Sequence, residues 1–182
     1  MYSYFTKSLK SICKVSNKDK IVKSVGAISA LSILHRHDFD KWTMKSVKKG
    51  LTQSECQSLP ASYGIKSCGG VGNDYWAAAV KECGGIDKLP SEEELLALAN
   101  MLYDSCNRTT VRADCTGFHA DRIPSALSGL GSTWSVLWSN EVPSRANYYA
   151  YSRGFSSRIS SRNDFGHNRS NANVRVVCAG DL

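Results

Sequence analysis

The sequence predicts an α+β fold in which helices come first and a small antiparallel sheet comes last. Leu95, Leu98 and Leu102 recur at the spacing of one helix face, and similar runs precede them. After residue 105 the pattern changes to alternation by twos, as in Trp134 and Val136. The separation of the two patterns along the chain favours an α+β architecture. A length of 182 residues and an apolar fraction of 42% fit one domain with a hydrophobic core, with or without an appendage.

Residues 1–50 are predicted to form a basic helical segment ahead of a domain that spans residues 51–182. The segment carries ten Lys and one Arg against three Asp. Apolar residues recur at helical spacing in residues 2–12 and 21–31, and a third short helix is expected from about Phe39 to Lys49. The Lys cluster is interpreted as a solvated helix face, with nucleic acid or an anionic membrane surface as the alternative partner.

No membrane-spanning helix is expected. The most apolar stretch, Val25 to Leu34, is about half the length that a span needs. A basic segment precedes it, but Lys23 interrupts the pattern and no small-residue cleavage site follows. We interpret the stretch as an amphipathic helix, with a degenerate export signal as the alternative.

The middle of the chain is predicted to hold a loop followed by two capped helices. Residues 51–72 are rich in Gly and are expected to form the loop. Asn73 or Asp74 is positioned to cap the next helix, which the Gly84–Gly85 pair ends. Ser91 is a good N-cap for the following helix, and Glu94 occupies the capping-box position.

Three strands are expected after a loop-like stretch from Cys106 to Ser132. The first spans Thr133 to Ser139, and both of its tryptophans, Trp134 and Trp138, are expected in the core. Alternation continues in residues 149–153 and in residues 174–178, which predicts a second strand and a closing strand.

Seven cysteines indicate an oxidising compartment. None forms a C-x-x-C pair, so a zinc ribbon is not expected. The spacings of Cys56 to Cys68 and of Cys106 to Cys115 suit local disulfides, and Cys83 with Cys178 could then form a long-range bridge. Reduced, buried thiols are the alternative.

The most informative stretch is residues 144–175, SRANYYAYSRGFSSRISSRNDFGHNRSNANVR. It is built almost entirely from Ser, Arg, Asn, Tyr, Gly, Phe and Ala, and it contains no Lys, Glu, Gln, Met or Trp. This is the composition of a binding face, because Tyr supplies rigid contact area while Ser and Asn adapt their hydrogen bonds.

The motifs KLPSEEELLALANML, LWSNE and VRVVCAG, with the polar run between the last two, resemble bacterial C-type-lectin-fold domains of the Lcl type. The resemblance covers roughly residues 70–182. It implies a C-type-lectin-like fold for the domain, with N-terminal helices and a small C-terminal antiparallel sheet, and a ligand surface within residues 139–175.

The run is similar, more narrowly, to the hypervariable segment of variable proteins of diversity-generating retroelements. In those systems adenines of AAY codons are randomised, which gives access to Asn, Ser, Arg, Tyr, Asp, His, Phe, Ile and Gly. Lys, Glu, Gln, Met and Trp are not accessible from AAY codons. Residues 144–175 contain every member of the first set and none of the second. The resemblance therefore implies a diversified surface whose ligand is specific to this variant.

A calcium-dependent sugar site is not expected. Calcium takes six to eight oxygen ligands, whereas the run and the segment before it offer only Glu141 and Asp164 as carboxylates, among six Arg. His35 and His37 are interpreted as part of a solvated helix junction rather than as metal ligands. We expect no metal and no cofactor.

The sequence thus predicts a non-enzymatic, receptor-like or adhesin-like protein, extracellular or at a cell surface. Its ligand is expected to be a protein or a glycan on a cell or phage surface. Tyr and Phe side chains would anchor the ligand, and Arg would select acidic or carbonyl-rich partners. The candidate contact residues are Arg145, Asn147, Tyr148, Tyr149, Tyr151, Arg153, Phe155, Ser157, Arg158, Ser160, Arg162, Asn163, Asp164, His167, Asn168 and Arg169.

Two alternative functions remain open on the sequence alone. Formylglycine-generating-type oxidases have a related fold, although no cysteine spacing here favours their reactive pair. A nucleic-acid binder would use the interleaved Arg and Tyr of the run for charge neutralisation and stacking.

Overall fold

A mixed sheet of seven strands, with a helix packed on each face, forms the centre of the structure. The computed structural model describes residues 38–70, 72–107, 114–144, 147–162 and 166–179. These residues belong to one unit that runs from Arg36 to Leu182. The helical runs predicted in residues 2–12 and 21–31, and the His35 and His37 junction, lie outside the described residues.

The strands follow one another in the sheet in the order β1-β9-β4-β6-β7-β3-β2, and β5 pairs with β8 in a separate two-stranded ribbon. Their bounds are β1 Thr43–Lys45, β2 Tyr103–Cys106, β3 Cys115–Phe118, β4 Ser135–Trp138, β5 Tyr149–Ala150, β6 Ser152–Phe155, β7 Ile159–Arg162, β8 His167–Asn168 and β9 Val174–Cys178. All pairs are antiparallel except β4 with β9, which is parallel. The mixed helix-and-sheet class is as predicted, but the sheet is larger than predicted and is not purely antiparallel.

Three α-helices are described, and each begins at a side-chain cap. They are α1 Gln53–Gln57, α2 Tyr75–Cys83 and α3 Glu92–Leu102. Asp74 caps α2, and Ser91 with Glu94 forms the capping box of α3, both as predicted. Gly84 ends α2 in the left-handed conformation, with φ of 85°. A second capping box, from Thr52 and Glu55, begins α1 inside the stretch predicted as a loop.

The helix predicted from Phe39 to Lys49 is wrong. Phe39–Lys41 forms a single 3₁₀ turn, and the chain then extends as β1, at one edge of the sheet, where Met44 pairs with Val177. Trp42 is fully buried, and its ring meets Phe39 edge to face at 4.9 Å. Burial of this indole outweighs the helical propensity of the flanking residues. Residues 38–50 are therefore part of the sheet-bearing unit, and the boundary proposed at residue 50 falls inside it.

The two faces of the sheet carry two hydrophobic cores. On one face, Trp76 and Val80 of α2 pack with Trp138 of β4 and Val176 of β9. On the other face, α3 packs against the sheet through residues such as Leu98. The second core includes Trp42, Leu95, Leu102, Tyr103, Leu137, Phe155 and Val177.

Three disulfides join the six cysteines of the described residues, with the pairing predicted from their spacing. Cys56 bonds Cys68, Cys106 bonds Cys115, and Cys83 at the end of α2 bonds Cys178 on β9. The bonds fit an oxidising compartment. Among the described helices, none has the length and apolarity to cross a membrane.

Candidate binding surface

The polar run of residues 144–175 divides into side chains that build the scaffold and side chains that face solvent. Of the candidate contact residues, Asn147, Tyr148, Ser157, Arg158 and Asn168 are exposed, and Tyr149, Tyr151 and His167 are partly buried. Arg145, Asn163, Asp164 and the side chain of Arg162 lie outside the described residues.

Phe155 and Ser160 are not surface residues. Both are fully buried, and they face each other on the α3 side of the sheet, where β6 pairs with β7. Phe155 belongs to the second core. Their predicted role as ligand contacts is corrected, because β6 and β7 are interior strands and α3 covers that face.

Arg153 is also buried, and it faces the N-terminus of α3. Its Nη2 lies 3.6 Å from Oε2 of Glu92. The Glu92 backbone N–H donates to Oε1 of Glu141 at 3.2 Å. These charges tie β6 to the first turn of α3 and to the segment after β4. Arg153 therefore stabilises the scaffold instead of selecting a ligand.

Arg169 is the most extensively bonded side chain of the run. It is fully buried, and its Nη2 lies 2.6 Å from Oδ2 of Asp74, with Nε 3.1 Å from Oδ1. Its Nη1 donates to the carbonyl oxygens of Ser67 at 3.0 Å and of Asn147 at 2.8 Å. The guanidinium also stacks 4.3 Å above the ring of Trp76. Arg169 thus joins the start of α2, the Ser67 loop and the beginning of the exposed Tyr segment.

Burial lowers the pKa of Arg169 below its ordinary value, and the adjacent Asp74 carboxylate offsets part of this effect. Arg keeps its charge in proteins because its ordinary pKa lies far above neutrality. The pair is therefore a buried ion pair with several additional hydrogen bonds, which is the arrangement that such a charge requires. Arg169 was predicted as a ligand contact, and its burial corrects that prediction.

The β5–β8 ribbon presents the tyrosines. Tyr149 pairs with Asn168 in the ribbon, and the ring of Tyr148 lies 4.7 Å from the ring of Tyr149. Tyr151 is held by its backbone, because its N–H donates to the Glu141 carbonyl and its carbonyl accepts from the Ser139 N–H, each at 2.9 Å. The tyrosines are therefore supported by main-chain hydrogen bonds that do not depend on their side chains.

His167 fastens the ribbon to the sheet. Its Nδ1 lies 2.6 Å from Oγ of Ser152, a buried residue of β6, and its ring meets Trp138 edge to face at 6.3 Å. Burial holds the pKa of His167 below its ordinary value, because desolvation disfavours the imidazolium. His167 was predicted as a surface contact, and the structure shows that part of its ring packs inward.

The Tyr103 side chain forms a clamp, which is a set of hydrogen bonds that holds the turn between β6 and β7. The Tyr103 hydroxyl accepts from the Ser156 N–H at 3.0 Å and lies 2.7 Å from the Ser156 carbonyl and 3.1 Å from that of Ile159. Burial raises the pKa of Tyr103, so the hydroxyl remains a donor at neutral pH. Ser157 and Arg158 are exposed above this clamp.

The prediction that Trp134 lies in the core is wrong, whereas Trp138 is fully buried as predicted. Trp134 is 53% exposed, and its ring covers Gly154 of β6, on the same face as Val136. Alternation along the strand places Trp134 and Trp138 on one face, but α2 and the ribbon cover only the Trp138 end. No local pattern indicates where this cover stops.

Cross-strand pairing extends this uncovered face across three further strands. Gly154 pairs with Ser161, Ile159 pairs with Thr116, and Thr116 pairs with Ser105 on β2. Thr116, Ser105 and Ile159 are exposed, with Ile159 at 40%. We call this surface the open face; it comprises Ser105, Thr116, Trp134, Gly154, Ile159 and Ser161.

A cleft of about 430 Å³ opens beside the start of the run. Its lining includes Trp76, Lys66, Val142 and Asn147. Among the described residues, no group of three or more His, Cys, Asp or Glu side chains is placed to hold a metal ion. The exposed residues of the run, which include Tyr148, Ser157, Arg158 and Asn168, offer aromatic contact and hydrogen bonding by hydroxyl, amide and guanidinium groups.

Comparison of the chain with protein-family models, with curated proteins and with solved structures gave no match.

Proposed function

We propose that this chain is a non-enzymatic ligand-binding protein that displays a Tyr/Ser/Asn/Arg-rich surface on a C-type-lectin-like fold. One observation carries the proposal. The exposed large apolar side chains of the described residues are Trp134, Tyr148 and Ile159, at 53%, 45% and 40% exposure. Tyr148 and Ile159 belong to the run, and Trp134 rests on Gly154 of the run. Exposed aromatic side chains are typical anchors of binding sites, and these three side chains lie in the run or against it.

The buried members of the run support the idea of a diversified surface. Arg153 and Arg169 hold the scaffold through ion pairs, and Phe155 and Ser160 are buried in the sheet. Exposed positions such as Ser157 and Arg158 can change without disturbing a core. A diversified protein needs such a division, because randomisation of a buried position would cost stability in most variants. The ligand is a protein or a glycan, and the three disulfides suit an extracellular site of action.

Deep sequencing of the locus across a population, with a search beside it for a near-identical template repeat, tests the diversified surface. We expect substitutions within residues 139–175, at template adenines, concentrated at exposed positions such as Tyr148, Ser157 and Arg158. Buried Arg153 and Arg169 should be invariant. A uniform locus without a repeat would remove diversification from the proposal and leave a single-specificity binding domain.

Two display libraries test the binding surface directly. The first randomises the exposed positions Tyr148, Ser157, Arg158 and Ile159, and the second randomises the buried positions Arg153, Phe155, Ser160 and Arg169. We expect the first library to remain largely folded and to yield binders against a test protein. The second should lose most of its folded members. Equal losses in both libraries, or no binder from a folded first library, would contradict the proposal.

A further inference from the structure

We infer that the open face binds a neutral glycan, with the exposed ring of Trp134 as the stacking platform. This inference rests on the proposed function and names the ligand class for one part of its surface. Three features of the open face carry it: the support under the ring, the hydroxyl groups beside it, and the absence of charge at its described positions.

Trp134 is held in place by a glycine. The atoms nearest to the position that a Cβ would take on Gly154 are Cζ2, Cη2 and Cε2 of the Trp134 ring, and all are closer than real side chains allow. Only glycine therefore lets the ring settle on the backbone of β6. Glycine within a strand weakens the strand, and it often marks a close approach. Here the approach leaves one side of the ring against the sheet and the other side in solvent.

Hydroxyl side chains lie beside this platform. Ser161 is paired with Gly154, and Thr116 and Ser105 continue the open face across β3 and β2. Successive strands lie about 5 Å apart, so β6, β7 and β3 together span about 10 Å across the face. A sugar ring has an apolar C–H face that can pack on the indole, and its hydroxyls can exchange hydrogen bonds with Ser and Thr. The open face offers both kinds of contact side by side.

The charge of the open face favours a neutral ligand. Ser105, Thr116, Trp134, Gly154, Ile159 and Ser161 carry no charge. The exposed Arg158 precedes Ile159 at the turn, at the margin of the face. Binding of a nucleic acid relies on several phosphate contacts by Lys or Arg, which these positions do not supply. A protein interface of stable size is centred on a cluster of apolar anchors, whereas three of the six positions here are hydroxyl residues.

Tryptophan fluorescence can report on this site selectively. The chain has four tryptophans, and Trp42, Trp76 and Trp138 are buried while Trp134 is exposed. Quenching by acrylamide should therefore come mainly from Trp134. The probes are cellohexaose, xylohexaose, mannohexaose and chitohexaose at millimolar concentration, with a heparin hexasaccharide as the anionic comparison. We expect at least one neutral oligosaccharide to protect Trp134 from quenching, with little dependence on salt.

Variants locate the binding site by calorimetric titration with the oligosaccharide that protects. Trp134→Ala should weaken binding about tenfold, since an aromatic contact contributes on the order of one factor of ten in affinity. Trp134→Phe should restore part of the affinity, and Thr116→Ala should weaken binding less. Asn100→Ala, at an exposed position of α3 on the opposite side of the sheet, is the control and should bind as the wild type does. Unchanged circular dichroism and thermal midpoint in Trp134→Ala would show that the loss is not unfolding.

Two results would overturn the inference. Protection by none of the neutral oligosaccharides would exclude the glycan platform, and so would binding that is confined to the heparin fragment and lost in salt. If the exposed-position library still yields protein binders in that case, the proposed function stands and only the glycan assignment fails. If the library also yields none, both fail.

Discussion

A single buried carboxylate, that of Asp74, receives the guanidinium of Arg169 through both of its oxygens. The Nη2–Oδ2 distance is 2.6 Å and the Nε–Oδ1 distance is 3.1 Å. The same carboxylate caps α2 by accepting from the Ala77 N–H at 2.8 Å, and it accepts from the Gly69 N–H at 3.2 Å. The ion pair therefore fixes a helix start and a glycine loop, and Arg169 also holds the segment before the exposed Tyr148 through the Asn147 carbonyl.

Removal of either partner should destabilise the protein strongly. Arg169→Met leaves the Asp74 carboxylate buried without its cation, and Asp74→Asn leaves the guanidinium without its anion. Each should lower the free energy of unfolding by about 3–5 kcal/mol, the usual effect of breaking a buried pair. Urea unfolding measures this change. Arg175→Met, at an exposed position of β9, should cost less than about 0.5 kcal/mol. Similar effects of Arg169→Met and Arg175→Met would contradict the assigned role.

Gly154→Ala should displace the ring of Trp134. The added methyl group would occupy the space of ring atoms, so the indole must move toward solvent or the strand must shift. We expect the free energy of unfolding to fall by about 1–3 kcal/mol, as at other overpacked sites. We also expect acrylamide to quench the Trp134 fluorescence more strongly. Gly72→Ala is the matched control, because no atom lies within 4 Å of its added methyl group. Unchanged quenching in Gly154→Ala would mean that the ring does not rest on this glycine.

Stability should fall as the pH drops below the ordinary pKa of histidine, about 6.5, and His167 should account for part of the loss. Burial depresses the pKa of His167 in the folded state, so the unfolded chain takes up its proton at a higher pH. The stabilising contribution is complete above the unfolded pKa and declines as the pH falls toward the folded pKa. Thermal unfolding between pH 8 and pH 5 should show a smaller decline in His167→Asn than in the wild type. Equal declines would exclude this contribution.

The long-range disulfide should contribute more stability than the local one. Cys83 and Cys178 are 95 residues apart, whereas Cys106 and Cys115 are 9 apart. Loop closure in the unfolded chain predicts how much the free energy of unfolding falls when each pair is replaced by Ala. The expected loss is about 5 kcal/mol for Cys83 and Cys178 and about 3 kcal/mol for Cys106 and Cys115. Urea unfolding of the two double variants gives the comparison. The reverse order would show that native contacts, rather than loop length, decide the effect.

A thiol assay should find about one free thiol per unfolded, unreduced chain. Six of the seven cysteines are paired, and the seventh is Cys13, which lies outside the described residues. Two or more reactive thiols that map to the C-terminal unit would favour the formylglycine-generating-type alternative, which needs a cysteine pair.

Local signals in the sequence were sufficient for the starts of α2 and α3 and for the disulfides, whereas the equally local capping box of Thr52 and Glu55 was missed. Asp74 and Ser91 are short polar residues directly before apolar helical patterns, and a cap depends only on such near neighbours. Two cysteine pairs were predicted from the short spacings of Cys56 to Cys68 and of Cys106 to Cys115. The pair of Cys83 and Cys178 was then predicted from the cysteines that were left. The closing strand was also predicted, because its alternation is unbroken from Val174 to Cys178.

Features that depend on distant parts of the chain were missed. Phe39–Lys49 has a helical composition, and only the neighbouring strand β9 makes part of it extended. Burial of Arg153 and Arg169 requires Glu92 and Asp74, which lie far away in sequence. The exposure of Trp134 depends on how far α2 and the ribbon extend over the sheet. Each of these outcomes is set by tertiary packing, which no local pattern encodes.

The clamp at Tyr103 bears on how the sequence of the turn between β6 and β7 can change in evolution. Its hydroxyl bonds main-chain atoms of Ser156 and Ile159, so these hydrogen bonds do not involve the side chains of Ser157 and Arg158. Substitutions at positions 157 and 158 therefore leave the hydrogen bonds of this clamp in place. The turn can thus accept successive changes at these two positions and keep the contacts that fasten it to β2.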